Sequence, residues 1–260
     1  MGLTRRKMLI ASGVAVIAAA ALLAVPQTRR LLHPILSRIR GRRTVEQRLA
    51  ELGPAARMRL QPHLDSAGLT SPPRAFTLIV LKDERRLDLF AGTSHDTLHY
   101  VKSYPIHAAS GDLGPKRREG DRQVPEGLYR IDSLNPNSRF HLSMRIDYPS
   151  ADDRRIAQLQ NRTDLGGDIF IHGGAASIGC VAVGDPAIEE LFTLAADIGI
   201  ENSEVVLAPL DLRTRPLPDN LNKAPWQQRY NDIQIPTDPT PHTSPRRPLT
   251  PPPPIQRNHD

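Results

Sequence analysis

The sequence predicts a mixed fold, mostly β with a minority of helix (α+β), built as one folded domain in the middle of the chain. Three observations lead there. From Phe76 onward apolar residues come in short runs such as "FTLIVL", "DIFIH" and "SEVVLAP", with turn residues between them, which is how short buried strands read. In that region only "PAIEELFTLAADIGI" carries strong helix signals: Pro186 at the first turn, early acids, and Gly199 near the end. Aromatic residues make up 4% of a chain that is 39% hydrophobic, so aliphatic side chains must fill most of the core.

In chain order, residues 1–28 read as an export signal or signal anchor. Arg5, Arg6 and Lys7 precede an apolar run from Met8 to Val25. Those eighteen residues reach roughly 27 Å as a helix, barely a bilayer core. The order Thr4-Arg5-Arg6 followed by Met8-Leu9 also resembles a twin-arginine export signal. Six arginines between Arg29 and Arg43 run against the positive-inside tendency for an uncleaved anchor. Cleavage, twin-arginine export, or contact of this basic stretch with anionic lipid would each resolve that conflict.

Residues 29–73 read as a basic and helical spacer. Thr44 and Gln47 form a capping box, and Val45, Leu49 and Leu52 share a face. Gly53-Pro54 is then expected to break the run, leaving one or two short helices. Residues 74–210 form the domain. "FTLIVL" and "RLDLF" are joined by the turn 82–85, followed by "YPIHAAS", "GLYRI", "DIFIH", "CVAV" and the last strand "SEVVLAP". Residues 211–260 are proline-rich and lose apolar periodicity. They read as a disordered or polyproline II tail, either inert or a docking segment.

Charge weakens one class of function. Residues 1–43 hold nine of the 34 Lys and Arg and none of the 28 Asp and Glu, so the rest of the chain is net acidic by three. The expected domain therefore lacks the basic surface that nucleic-acid binding requires. One cysteine, Cys180, excludes an intrachain disulfide framework.

Cys180 lies in "IHGGAASIGCVAVGD", eight positions after His172. It is either a small buried hydrophobe or a nucleophile. A catalytic thiol must ionise, and a nearby imidazole can accept its proton and hold the ion pair. "DIFIH" ends a strand on His172, and a glycine-rich turn then leads to Cys180. A hairpin-like ladder would set the two side chains face to face. Gly173, Gly174 and Gly179 permit close backbone approach, and the N–H groups of Gly179 and Cys180 are candidates for an oxyanion hole. A metal site would need three or four ligands, and no second ligand pair accompanies these two residues. Neither metal nor cofactor is expected.

The stretch "IHGGAASIGCVAVGD" resembles the active-site motif of the L,D-transpeptidase (YkuD-type) family. "GPKRREGDRQVPEGLYRI" and "LNPNSRFHLSMRIDYP" are similar to further signatures of its YafK-like murein branch. The resemblance covers about half the chain and implies an L,D-transpeptidase-like β-sandwich or barrel with a C-terminal helix. It implies Cys180 as nucleophile, forming a thioester with a peptidoglycan stem peptide that an amine or water then releases, and His172 as base. Gly173 would orient the imidazole through its carbonyl, and Ser177 and Gly179 would shape the loop and oxyanion hole. Arg117, Arg118 and Arg122 are candidates for stem-peptide carboxylates, and His141 for lining the cleft. Asp185 is read as a cap for the helix beyond it. Ile178 and Ala182 depart from the family pattern, which often has a histidine and an Arg or Asn there. The alternatives are a murein hydrolase or amidase that releases peptide or wall-attached protein, and a non-catalytic envelope-binding protein. The expected location is the periplasm or cell envelope, with possible anchoring by residues 8–25.

Overall fold

A computed structural model describes residues 41–69, 73–233 and 235–236. The expected export segment, the start of the basic spacer and the end of the proline-rich tail lie outside the described residues. The strands are β1 (Ala75–Leu81), β2 (Arg86–Gly92), β3 (Leu98–Pro105), β4 (Ala108–Ala109), β5 (Gly127–Tyr129), β6 (Ile131–Asn135), β7 (Ser143–Ile146), β8 (Phe170–His172), β9 (Val181–Ala182) and β10 (Ser203–Ala208). The helices are α1 (Val45–Ser66), α2 (Ala151–Leu159), α3 (Asp185–Ile198) and α4 (Gln227–Asp232).

Two five-stranded sheets result, in the orders β3-β2-β1-β10-β5 and β4-β9-β8-β7-β6. The first and last expected strands, β1 and β10, lie parallel in the centre of the first sheet, from Phe76↔Ser203 to Leu81↔Ala208. The β1–β2 hairpin folds over the charged turn as the sequence implied. One apolar cluster joins Phe76, Leu78 and Val80 of β1 to Met144 and Ile146 of β7, Ile171 of β8 and Leu191 and Phe192 of α3. The two sheets therefore share a core.

For residues 45–66, expected as a packing arm or spacer, the helix break is corrected. Gly53-Pro54 does not end the helix: α1 runs 22 residues with Pro54 and Pro62 inside it. Proline removes a backbone donor, but tertiary packing governs helix stability more than propensity does. Leu60 and Leu64 are buried in the shared core. Arg57 grips Asp197 of α3 bidentately at 2.7 and 2.6 Å, and Arg59 reaches Glu190 at 2.9 Å and Glu189 at 2.8 Å. Thr44 and Gln47 do form the capping box.

The tail reading of residues 211–233 is also corrected. β1 is buried at every position, because "AFTLIVL" is apolar on both faces and both need a cover. The shared core covers one. On the other, Ile79, Leu81, Phe90 and Val206 pack against Leu221, Tyr230 and Ile233, with Leu212, Leu217 and Trp226 at the edge. Prolines fit between these anchors, since a segment held by side chains needs no backbone ladder of its own.

Candidate active site

β8 runs between β7 and β9, with His172 opposite Ser143 on one side and Ala182 on the other. The expected hairpin is corrected: β8 and β9 are parallel, in the register Ile171↔Val181 and His172↔Ala182. Residues 173–180 carry the chain back to the same end. This is much shorter than the usual parallel crossover, and it suffices because β8 and β9 are only three and two residues long. Cys180 directly precedes β9, and its thiol takes a hydrogen bond from the backbone of Phe170, two residues before His172 in β8.

His172 is 2% exposed and the Phe140 ring stacks on it, centroids 4.4 Å apart and planes at 27°. Its Nδ1 lies 2.7 Å from the Gly173 carbonyl oxygen. A carbonyl only accepts, so Nδ1 carries the hydrogen of this bond. Gly173 has no room for a side chain: a Cβ there would sit 2.5 Å from the Phe140 carbonyl oxygen and 2.6 Å from Asp185 Oδ1. Gly174, at φ 69°, donates its N–H to Asp185 Oδ1 at 2.8 Å. Asp185 thus pins the glycine turn and does not cap α3, whose N-cap is Gly184 with no side-chain cap bond.

Ser177 holds the Cys180 segment. Its hydroxyl donates to the Cys180 carbonyl at 2.5 Å and accepts the Cys180 N–H at 3.1 Å. The Gly179 N–H donates to Ser110 Oγ at 2.5 Å, and the two serine oxygens are 3.4 Å apart. Both N–H groups expected to form the oxyanion hole are therefore engaged by hydroxyls. The thiol is 3.8 Å from the Asp168 carbonyl. Burial pushes it above its ordinary value, partly offset by a hydrogen bond from the Phe170 backbone; Asp168 adds to the rise and Lys116 opposes it.

The loop 110–123 borders this segment. A Cβ on Gly179 would lie 3.7 Å from the Gln123 carbonyl oxygen and 4.0 Å from the Arg122 carbonyl carbon. Arg117, Arg118 and Arg122 are exposed on the loop. Its shape depends on Asp121, which accepts from Lys116 Nζ at 2.6 Å and from three backbone N–H groups. Burial pushes that carboxyl up, but Lys116 and the N–H groups of Arg118, Arg117 and Gln123 outweigh it and bring it to about 2. His141 is not turned to the thiol: its ring engages Glu189 of α3 at 2.8 Å and Arg48 of α1 at 3.4 Å. Among the described residues no group of three or more His, Cys, Asp or Glu could hold a metal ion. Sequence reasoning missed Ser110 and Phe140. Ser110 stands directly before the Gly111-Asp112 pair, where a polar residue at a strand end was a visible signal; Phe140 had none.

A buried imidazole at the end of β8 and a thiol directly before β9, joined by a glycine-rich loop, make the candidate site of a two-sheet α+β protein. Residues 75–207 match the L,D-transpeptidase catalytic domain model, YkuD. This chain belongs to that family. Over 115 residues it is 37% identical to YafK of Escherichia coli strain K12, whose name assigns it provisionally to the L,D-transpeptidases; the match covers 44% of each chain. The O157:H7 counterpart gives the same figures. Among solved structures, the helical cell shape determining protein Pgp2 of Campylobacter jejuni is 19% identical, with TM-score 0.43, covering 59% of this chain and 56% of that one. Bd1075 of Bdellovibrio bacteriovorus is 23% identical, with TM-score 0.38, covering 54% and 50%. L,D-transpeptidase 1 of Mycobacterium tuberculosis is 12% identical, with TM-score 0.30, covering 52% and 62%.

Proposed function

We propose that this chain is an exported peptidoglycan-modifying enzyme that moves the acyl group of a stem peptide through a thioester on Cys180. The observation that carries the reading is the Nδ1–H to Gly173 carbonyl bond at 2.7 Å. With Nδ1 so engaged, Nε2 of this buried ring is the nitrogen that would take the thiol proton. The thiol transfers its proton to Nε2 as sulfur attacks the peptide carbonyl. The imidazolium then protonates the departing amine, and the thioester remains. Water or an amine attacks the thioester, losing its proton to the same nitrogen, and the thiol is restored. The oxyanion is a stronger acceptor than a hydroxyl, so it displaces Ser110 from the Gly179 N–H. Exposed Arg117, Arg118 and Arg122 offer cations to stem-peptide carboxylates.

Hydrolysis competes with transfer in this reading. Ile178 is 79% exposed and Ala182 is fully buried, so neither offers a polar group to hold an acceptor amine. The test is incubation with a tetrapeptide muropeptide and excess free amine, with products separated by mass. Conversion by the wild type and none by Cys180→Ala is expected. Full activity in Cys180→Ala would end the thioester reading, and mainly amine-exchanged product would end the hydrolytic preference.

A further inference from the structure

The loop 110–123 meets the nucleophile segment on one side and a buried polar hub on the other. Glu126 is fully buried and Lys82 is 8% exposed. Glu126 Oε1 accepts the Gly114 N–H at 2.7 Å and Lys82 Nζ at 2.8 Å. Lys82 also donates to the Gly114 carbonyl at 3.0 Å and the Val124 carbonyl at 3.1 Å. The other carboxylate oxygen of Glu126 accepts the Tyr230 hydroxyl at 2.6 Å, and the Glu126 carbonyl accepts Arg229 Nη1 at 2.9 Å.

The C-terminal segment also touches the loop directly. A Cβ on Gly114 would lie 3.5 Å from a Leu221 methyl. Arg162 donates to the Arg117 carbonyl and lies 5.9 Å from the Trp226 ring. A connected set of contacts therefore runs from Tyr230 through Glu126 to Gly114, and along the loop to Ser110 and Gly179.

We propose that residues 221–230 form a strap that positions the loop 110–123 against Cys180, with Glu126 as the positioning residue through which it acts. Its catalytic consequence rests on the acyl-transfer reading above; its effect on the loop does not. Without the strap the loop loses its fixed end, and the Ser110 contact that seats it against the Cys180 segment loosens.

The test compares full-length wild type, Tyr230→Phe and Glu126→Gln at a temperature well below unfolding. Stem-peptide acylation, alkylation of Cys180 by iodoacetamide, and hydrogen exchange of the Gly114 amide are measured. The strap predicts faster exchange at Gly114 and acylation slowed about tenfold, with alkylation unchanged because a small reagent needs no loop. A purely structural role would move the thermal midpoint alone. Unchanged exchange at Gly114 in Tyr230→Phe would overturn the proposal, as would wild-type acylation rates in both variants. Tyr230→Phe carries the test should Glu126→Gln fail to fold, since it removes one hydroxyl and keeps the ring. A wild type that acylates nothing would sink the acyl-transfer reading, while the exchange result would still decide the strap.

Discussion

Replacing Arg229 by methionine should destabilise the domain as strongly as a core deletion. Arg229 Nη1 lies 2.8 Å from Asp153 Oδ1, with both side chains 3% exposed, and its Nε lies 2.7 Å from Asp152. Methionine keeps much of the volume but strands the Asp153 carboxylate, leaving it the Tyr129 hydroxyl at 3.1 Å and the Ser150 N–H at 2.9 Å. Removing one partner of a buried ion pair costs about 3–5 kcal/mol. That is a large part of the roughly 5–15 kcal/mol that holds an ordinary domain. At about 2–4 °C per kcal/mol for a domain of this size, the midpoint should fall by about 6–20 °C. Circular dichroism on heating, with urea titration at constant slope, measures it. Adding Asp153→Asn to Arg229→Met should recover part of the loss, since the stranded charge goes with it. A fall of less than about 2 °C would refute the reasoning: α4 would not be seated on the domain.

Other outcomes follow from the site. Because burial raises the Cys180 thiol, iodoacetamide alkylation should climb with a midpoint above the free-thiol value of about 8.5; thiol below that midpoint is unreactive, so a midpoint near 7 would contradict the stated environment. His172→Ala should slow muropeptide conversion about 10²–10⁴-fold, and undiminished turnover would leave the imidazole without a catalytic role. Asp121 is held at about 2, below its unfolded value near ~3.9. Its contribution to stability is therefore present above that unfolded value and lost as pH falls toward 2. Asp121→Asn should flatten that part of the acid unfolding curve, and an unchanged curve would mean that the carboxylate does not anchor the loop.

Much of the scaffold was legible in the sequence. β1, β2, β5, β8, β10 and α3 lie where apolar runs and turn residues put them. The glycine framework around His172 and Cys180 marked the candidate site. Other features were hidden for physical reasons. A connection of eight residues suits a hairpin, and only the shortness of β8 and β9 lets it join parallel neighbours. Gly53-Pro54 is a strong local stop, overridden by Leu60, Leu64 and the arginine contacts to α3. The prolines after Pro209 obscured Leu221, Trp226, Tyr230 and Ile233, which are spaced as anchors. The signal for them lay elsewhere, in "FTLIVL", whose two apolar faces require two covers. Glu126 could not be recognised as a hub, because its partners Lys82 and Tyr230 are far from it in sequence.

The central claim is that Cys180 carries the acyl group, and intact-mass spectrometry tests it most directly. Full-length protein is mixed with a carbapenem, whose strained ring opens on thiol attack and leaves the acyl group on sulfur. A single adduct of the expected mass, mapped to Cys180 by peptide digestion and absent from Cys180→Ala, is the predicted result. An adduct on another residue, or none while muropeptide is still converted, would contradict the account.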